Sequence, residues 1–228
     1  MNKVLQALLT ILVLAANAVG LGELNDLPLV EIPAGGTHAG TMAILVTGDG
    51  GWRAADRGIA RTLAARGIPV VALNSLHYFW QRRTPERAAK DFERIMLHYA
   101  SAWKQNRVIA IGYSLGADVL PFMLTRLPKS LLTQVVLVAL LAPGKAVDFE
   151  FHLRDWFVSY TPKTAKPVLP ELEKLKGMNI LCFYGNQDGG ALCRNLDPNL
   201  AKIIVLNAGH GMGRHYHVIS QNILEEVR

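Results

Sequence analysis

The sequence predicts a three-layer α/β sandwich built around a mostly parallel sheet. Seven short runs rich in Val, Ile, Leu and Ala are bounded by turn residues, and segments of helical periodicity alternate with them. Of the 228 residues 50% are hydrophobic and 18% charged, which suits one large buried core and excludes a disordered chain.

Strands are expected at Leu29–Ile32, Ala43–Thr47, Pro69–Leu73, Val108–Gly112, Val135–Leu141, Asn179–Phe183 and Lys202–Leu206. Several are apolar without alternation, as strands covered on both faces are. The first helix, Ala54–Arg66, sets Ile59 and Leu63 on one face with Ala60 and Ala64, and Gly67 stops it. The second, Pro85–Trp103, starts from Thr84 as its cap with Pro85 at the first helical position, and aligns Ala88, Phe92, Ile95 and Tyr99. Leu115–Leu127 and His215–Val227 complete the set. Alternation in this order requires right-handed crossovers. Residues 143–170 break the rhythm, and an excursion of that length is expected to be a lid or an extra strand.

The N-terminus reads differently. Lys3 precedes an apolar stretch, Val4–Ala16, and then the small-x-small run Ala16-Asn17-Ala18, a signal peptide cut after Ala18. The stretch is shorter than the roughly 20 residues a spanning helix needs. Residues 19–27 read as a linker and 28–228 as one domain. The net charge is +6, and +5 without the single lysine of residues 1–18, so contact with an anionic membrane surface is open. Arg82, Arg83, Arg87, Lys90 and Arg94 are interleaved with Glu86, Asp91 and Glu93, which also suits a solvated helix face. Direct binding of nucleic acid is not expected. The two cysteines, Cys182 and Cys193, follow the leader and are expected to form a disulfide from a strand to its following loop. Too few Cys or His ligands surround them for zinc, and neither a metal nor an organic cofactor is implied.

One motif carries chemistry. Gly112-Tyr113-Ser114-Leu115-Gly116 follows an expected strand and precedes an expected helix, the setting of a nucleophile elbow. Ser114 is the candidate nucleophile, and the Leu115 N–H at the helix start is a candidate oxyanion donor. A serine needs a base and the base a carboxylate, each just past a later strand. Asp188 and His210 occupy those places, with Asp118 and Asp49 as rival acids and His215 and His217 as weaker bases. The glycine-rich loop Gly48-Asp49-Gly50-Gly51-Trp52-Arg53 lacks phosphate-loop spacing, and Gly50 or Gly51 is the candidate second donor.

The segments GDGGWRAAD, GYSLGADVLPF, FYGNQDGGALC and NAGHGMGRHY together resemble the bacterial virulence protein family that includes VirJ and the C-terminal domain of AcvB. The resemblance runs from about Leu29 to the C-terminus. It implies an α/β-hydrolase-like domain in the periplasm, with the family's serine, acid and histidine on Ser114, Asp188 and His210 and its cysteine after the acid loop on Cys193. It also implies either hydrolysis of lysyl-phosphatidylglycerol or a part in type IV secretion. On the first reading, Asp49 selects an ammonium and Arg53 or the basic helix holds a phosphate. Trp52, Tyr78, Phe79 and Trp80 would then shield acyl chains. The competing readings are a non-catalytic accessory protein that binds secretion substrates or apparatus components, and a general carboxylesterase or lipase.

Overall fold

The computed structural model describes residues 24–35, 40–150, 164–212 and 215–227. The expected leader and the middle of the 143–170 excursion lie outside the described residues. The strands are β1 (Leu29–Ile32), β2 (Thr41–Val46), β3 (Val70–Leu73), β4 (Arg107–Tyr113), β5 (Val135–Leu141), β6 (Ala146–Val147), β7 (Lys166–Pro167), β8 (Ile180–Gly185) and β9 (Lys202–Leu206). Seven of them form one sheet in the order β1-β3-β2-β4-β5-β8-β9. All of its neighbours pair in parallel except β1, which lies antiparallel to β3 at the edge. β6 and β7, the two ends of the excursion, pair antiparallel as a separate ribbon.

Because side chains alternate along a strand, the apolar runs feed two cores. Met42, Ile44 and Val46 of β2 with Val108 and Ala110 of β4 face one layer, formed by α3 (Pro85–Ala102), α4 (Leu115–Leu124) and α6 (Leu169–Glu173). Ala43, Leu45, Ile109 and Ile111 face the other, formed by α1 (Ala54–Ala64) and α7 (Tyr216–Glu226). Each fully buried Leu, Ile or Phe contributes roughly 1.5–3 kcal/mol. Thr84 caps α3 by accepting from the Arg87 N–H at 3.1 Å, with Pro85 at the first position.

Several boundaries differ from expectation. α4 stops at Leu124 rather than Leu127, since the Arg126 and Leu127 N–H groups reach back three residues in tighter turns and Pro128 disfavours a helical residue before it. α1 ends at Ala64, two residues before Arg66. α2 (Ser75–Tyr78), α5 (Lys129–Leu132) and α6 are single turns or little more, too short for periodicity to reveal.

The order of strands fixes where a site can form. The chain leaves β2 toward β3 on one side and returns to β4 on the other, so the loops after β2 and β4 diverge. Such a switch point opens a crevice at the carboxyl ends of the strands. The crossing is tight, because a Cβ at Gly116 would collide with the Val46 carbonyl oxygen. Gly116→Ala should therefore cost about 3 kcal/mol or more, or prevent folding. Gly35→Ala, whose added carbon meets nothing within 4 Å, should shift the urea midpoint very little. Equal midpoints for the two variants would refute this account of the crossing.

Candidate active site

Ser114 lies between β4 and α4 with φ 50° and ψ −119°, a backbone conformation that residues with a Cβ rarely adopt. Its N–H donates to the Leu141 carbonyl at 2.8 Å, and its own carbonyl accepts from Asp118 at 3.0 Å. A Cβ at Gly112 would lie 2.5 Å from the Gly116 carbonyl oxygen, so the turn closes only with glycine there. The turn lifts the serine hydroxyl above the sheet edge.

Two later loops meet it there. Past β8, the Asn186 and Gln187 N–H groups donate to the Leu206 and Ala208 carbonyls, at 2.8 and 3.0 Å, joining the acid loop to the histidine loop. Ser114 Oγ is 2.8 Å from His210 Nε2, and His210 Nδ1 is 2.8 Å from Asp188 Oδ2. A carboxylate only accepts, so Nδ1 donates to Oδ2 and Nε2 keeps the lone pair that accepts from the hydroxyl. An imidazole held this way is placed to take the hydroxyl proton. Asp188 Oδ1 also accepts from the Gly190 N–H at 3.1 Å.

The sequence reading missed the groups that hold these loops. Arg194 donates through Nη2 to the Asn186 and Asp188 carbonyls at 2.8 and 3.3 Å, and its guanidinium sits 5.2 Å from the centre of the Tyr184 ring. Its neighbour Cys193 is bonded to Cys182 of β8, the expected disulfide. His215, a weaker candidate for the base, instead has Nε2 3.2 Å from the Asn207 carbonyl, bracing the histidine loop. Apart from the disulfide, no periodicity or motif marks these contacts, which exist only when the loops fold together.

Asp49, Gly50, Gly51, Arg53, Asp56 and Tyr113 line a pocket of about 310 Å³ with Ser114 and His210. Among the described residues, no hydrogen bond engages the N–H of Leu115 or Gly50. Gly51 is different: its N–H donates to Gly48 at 3.0 Å, so of the two glycines Gly50 keeps the available donor. Trp52 does not line the pocket and packs half-buried against the α1/α7 core. Tyr78 and Phe79 are also core residues, with the Tyr78 hydroxyl donating to Asp91 at 2.7 Å. Trp80 alone of that aromatic run is exposed.

Carboxylates crowd this region. Asp118, one turn into α4, does not reach the histidine and accepts from the Gly144 N–H at 2.6 Å. Burial pushes its pKa up to about 8; the Gly144 hydrogen bond opposes the rise and Asp49 adds to it. Asp56 accepts from the Arg53 N–H at 3.0 Å at the start of α1, leaves Oδ1 buried without a partner, and is pushed up to about 6 by burial. Burial, then Asp56, Asp49 and Asp188, push the Tyr113 hydroxyl up to about 12, so it stays protonated. Among the described residues, no group of three or more His, Cys, Asp or Glu side chains is placed to hold a metal, and no helix is long and apolar enough to cross a membrane.

The family described as bacterial virulence protein (VirJ) matches residues 40–228. The chain belongs to the VirJ family. Solved structures similar to this VirJ-family chain share its fold at low identity. Est1E from Butyrivibrio proteoclasticus with ferulic acid bound has a TM-score of 0.62 and 11% identity, covering 90% of this chain and 98% of that one. The Pyrococcus furiosus esterase Pf2001 has 0.60 and 14%, over 88% and 90%. The thioesterase domain from the curacin biosynthetic pathway has 0.58 and 15%, over 86% and 94%. These neighbours place the chain in the α/β-hydrolase fold. No curated protein is significantly similar to it in sequence.

Asp118 gives a pH test. A carboxyl whose pKa is raised on folding holds a proton that the unfolded chain releases, so stability is lost as pH rises from about 4 to about 8. Asp118→Asn keeps an acceptor for Gly144 and removes the titration. Its melting temperature should exceed the wild type's at pH 8 by about 2–6 °C, and match it near pH 4. An equal gain at both pH values would contradict the assignment.

Proposed function

We propose that this protein is a serine hydrolase that cleaves an ester through Ser114, His210 and Asp188. The substrate proposed is an aminoacylated phospholipid of the lysyl-phosphatidylglycerol type, met in the periplasm. The hydrogen-bonded series from the serine hydroxyl through the imidazole to the carboxylate carries the reading. The resemblance to AcvB supports the lipid substrate.

Ser114 Oγ attacks the lysyl carbonyl carbon as its proton passes to His210 Nε2. The tetrahedral oxyanion is stabilised by the N–H groups of Leu115 and Gly50. On collapse, the bond to the glycerol oxygen breaks and His210 returns its proton to that oxygen, releasing phosphatidylglycerol. The lysyl group stays esterified to Ser114. Water, giving a proton to His210, then attacks that ester; the bond to Ser114 Oγ breaks, His210 returns the proton to Oγ, and lysine leaves. Asp188 holds the ring and stabilises its protonated form at each step.

Recognition fits the pocket's charges. Asp49 faces the ammonium of the acyl group, and Asp56, deeper in the wall, adds to the negative potential there. Arg53, whose Nε donates to the Gly50 carbonyl at 2.7 Å, has further guanidinium N–H groups for the phosphate side.

The test is release of free lysine from lysyl-phosphatidylglycerol by purified protein. Ser114→Ala should lose about 10⁴-fold or more in rate. In the same assay, Asp49→Asn should reduce the preference for lysyl over neutral aminoacyl esters by about tenfold. Undiminished release by the serine variant would remove the mechanism, and an unchanged preference would remove the role of Asp49.

A further inference from the structure

The surface beside the Ser114 pocket carries a feature that ester cleavage does not need. α2 begins directly after β3, at the same sheet edge as Ser114. A Cβ at Gly51 would lie 3.2 Å from Leu76 Cβ, so α2 abuts the glycine-rich loop. Next comes Trp80, 58% exposed and the most exposed large hydrophobic side chain among the described residues. Beside it a shallow cleft of about 530 Å³ is lined by Leu76, His77, Trp80, Gln81 and Arg83.

Two arginines flank this tryptophan, with Glu150 facing one of them. The Arg82 side chain is 59% exposed and meets Glu150 loosely, at 3.8 Å. Arg83 is held in place, with Nε donating to the Tyr78 carbonyl at 3.3 Å and its guanidinium 5.0 Å from the centre of the Tyr78 ring. The whole chain carries a net charge of +6. An exposed indole costs free energy in water and gains it at a bilayer interface, where the ring enters the acyl boundary and the N–H stays wet. Guanidinium groups beside it match lipid phosphates.

We propose that Trp80, with Arg82 and Arg83, is the surface by which this protein docks on an anionic phospholipid bilayer. The proposal rests on the reading of the protein as a phospholipid-ester hydrolase and adds how it meets that substrate. The docking face adjoins the Ser114 pocket, so a headgroup ester at the membrane surface lies beside the nucleophile. One tryptophan and two arginines give weak, reversible attachment that salt weakens, which suits an enzyme moving between lipid molecules.

Co-sedimentation with vesicles tests this. Wild type should bind vesicles of equimolar phosphatidylglycerol and phosphatidylcholine, bind pure phosphatidylcholine vesicles far less, and release from the former in high salt. The double variant Trp80→Ala/Arg82→Gln should bind the anionic vesicles at least about tenfold more weakly. It should keep wild-type melting and wild-type hydrolysis of the soluble ester p-nitrophenyl acetate. Absent wild-type binding, or equal binding by the two proteins, overturns the proposal. So does an equal loss on the soluble ester, which would put Trp80 in the substrate pocket, or a wild-type dimer that the double variant breaks while vesicle binding persists. Trp80-dependent vesicle binding without lysine release would leave the docking surface standing and remove the substrate reading.

Discussion

The site depends on one strained turn. Ser114 at φ 50° costs on the order of 1–3 kcal/mol compared with a relaxed residue, and the surrounding packing has to hold it there. The β2–β4 crossing supplies that force. Gly116, having no Cβ, lets the start of α4 pack directly against the Val46 carbonyl, and the Leu141 carbonyl fixes the serine N–H. With the backbone pinned, the hydroxyl faces an imidazole that arrives from 96 residues further along the chain. A relaxed turn at residue 114 would lower the hydroxyl toward the sheet and break that contact.

The second requirement is that two loops on neighbouring strands act as one piece. Backbone hydrogen bonds run from the acid loop to the histidine loop. Arg194 gathers the acid loop's carbonyls, and the Cys182–Cys193 disulfide anchors the turn that carries Arg194. Burial of carboxyl groups near the pocket works against their charged forms, as the upward shifts of Asp118 and Asp56 register. A pocket that gathers carboxylates suits a cationic acyl group. That links the electrostatics to the proposed aminoacyl substrate and, through the basic tryptophan face beside it, to an anionic membrane.

Much of this was legible from residue order because strands buried on both faces leave unbroken apolar runs. Such runs located all seven strands of the main sheet, β4 proving one residue longer and β8 two residues longer at the carboxyl end. The elbow was legible because its backbone demands Gly112 and Gly116 around Ser114. What depended on three-dimensional neighbours was not. Trp52 and Arg53 are adjacent in sequence, yet the helix start turns one into the core and the other to the pocket. Gly50 and Gly51 look interchangeable until the turn consumes the second one's N–H. Tyr78, Phe79 and Trp80 form one aromatic run, but the single turn of α2, too short to show periodicity, buries two of them and exposes the third.

Whether His210 activates Ser114 is the centre of the account, and fluorophosphonate labelling followed by peptide mapping reports on it directly. Wild-type protein should be modified rapidly and stoichiometrically on the Ser114 peptide, and His210→Gln should remain almost unlabelled while folding normally. Equal labelling of both proteins, or a label on some other residue, would contradict it.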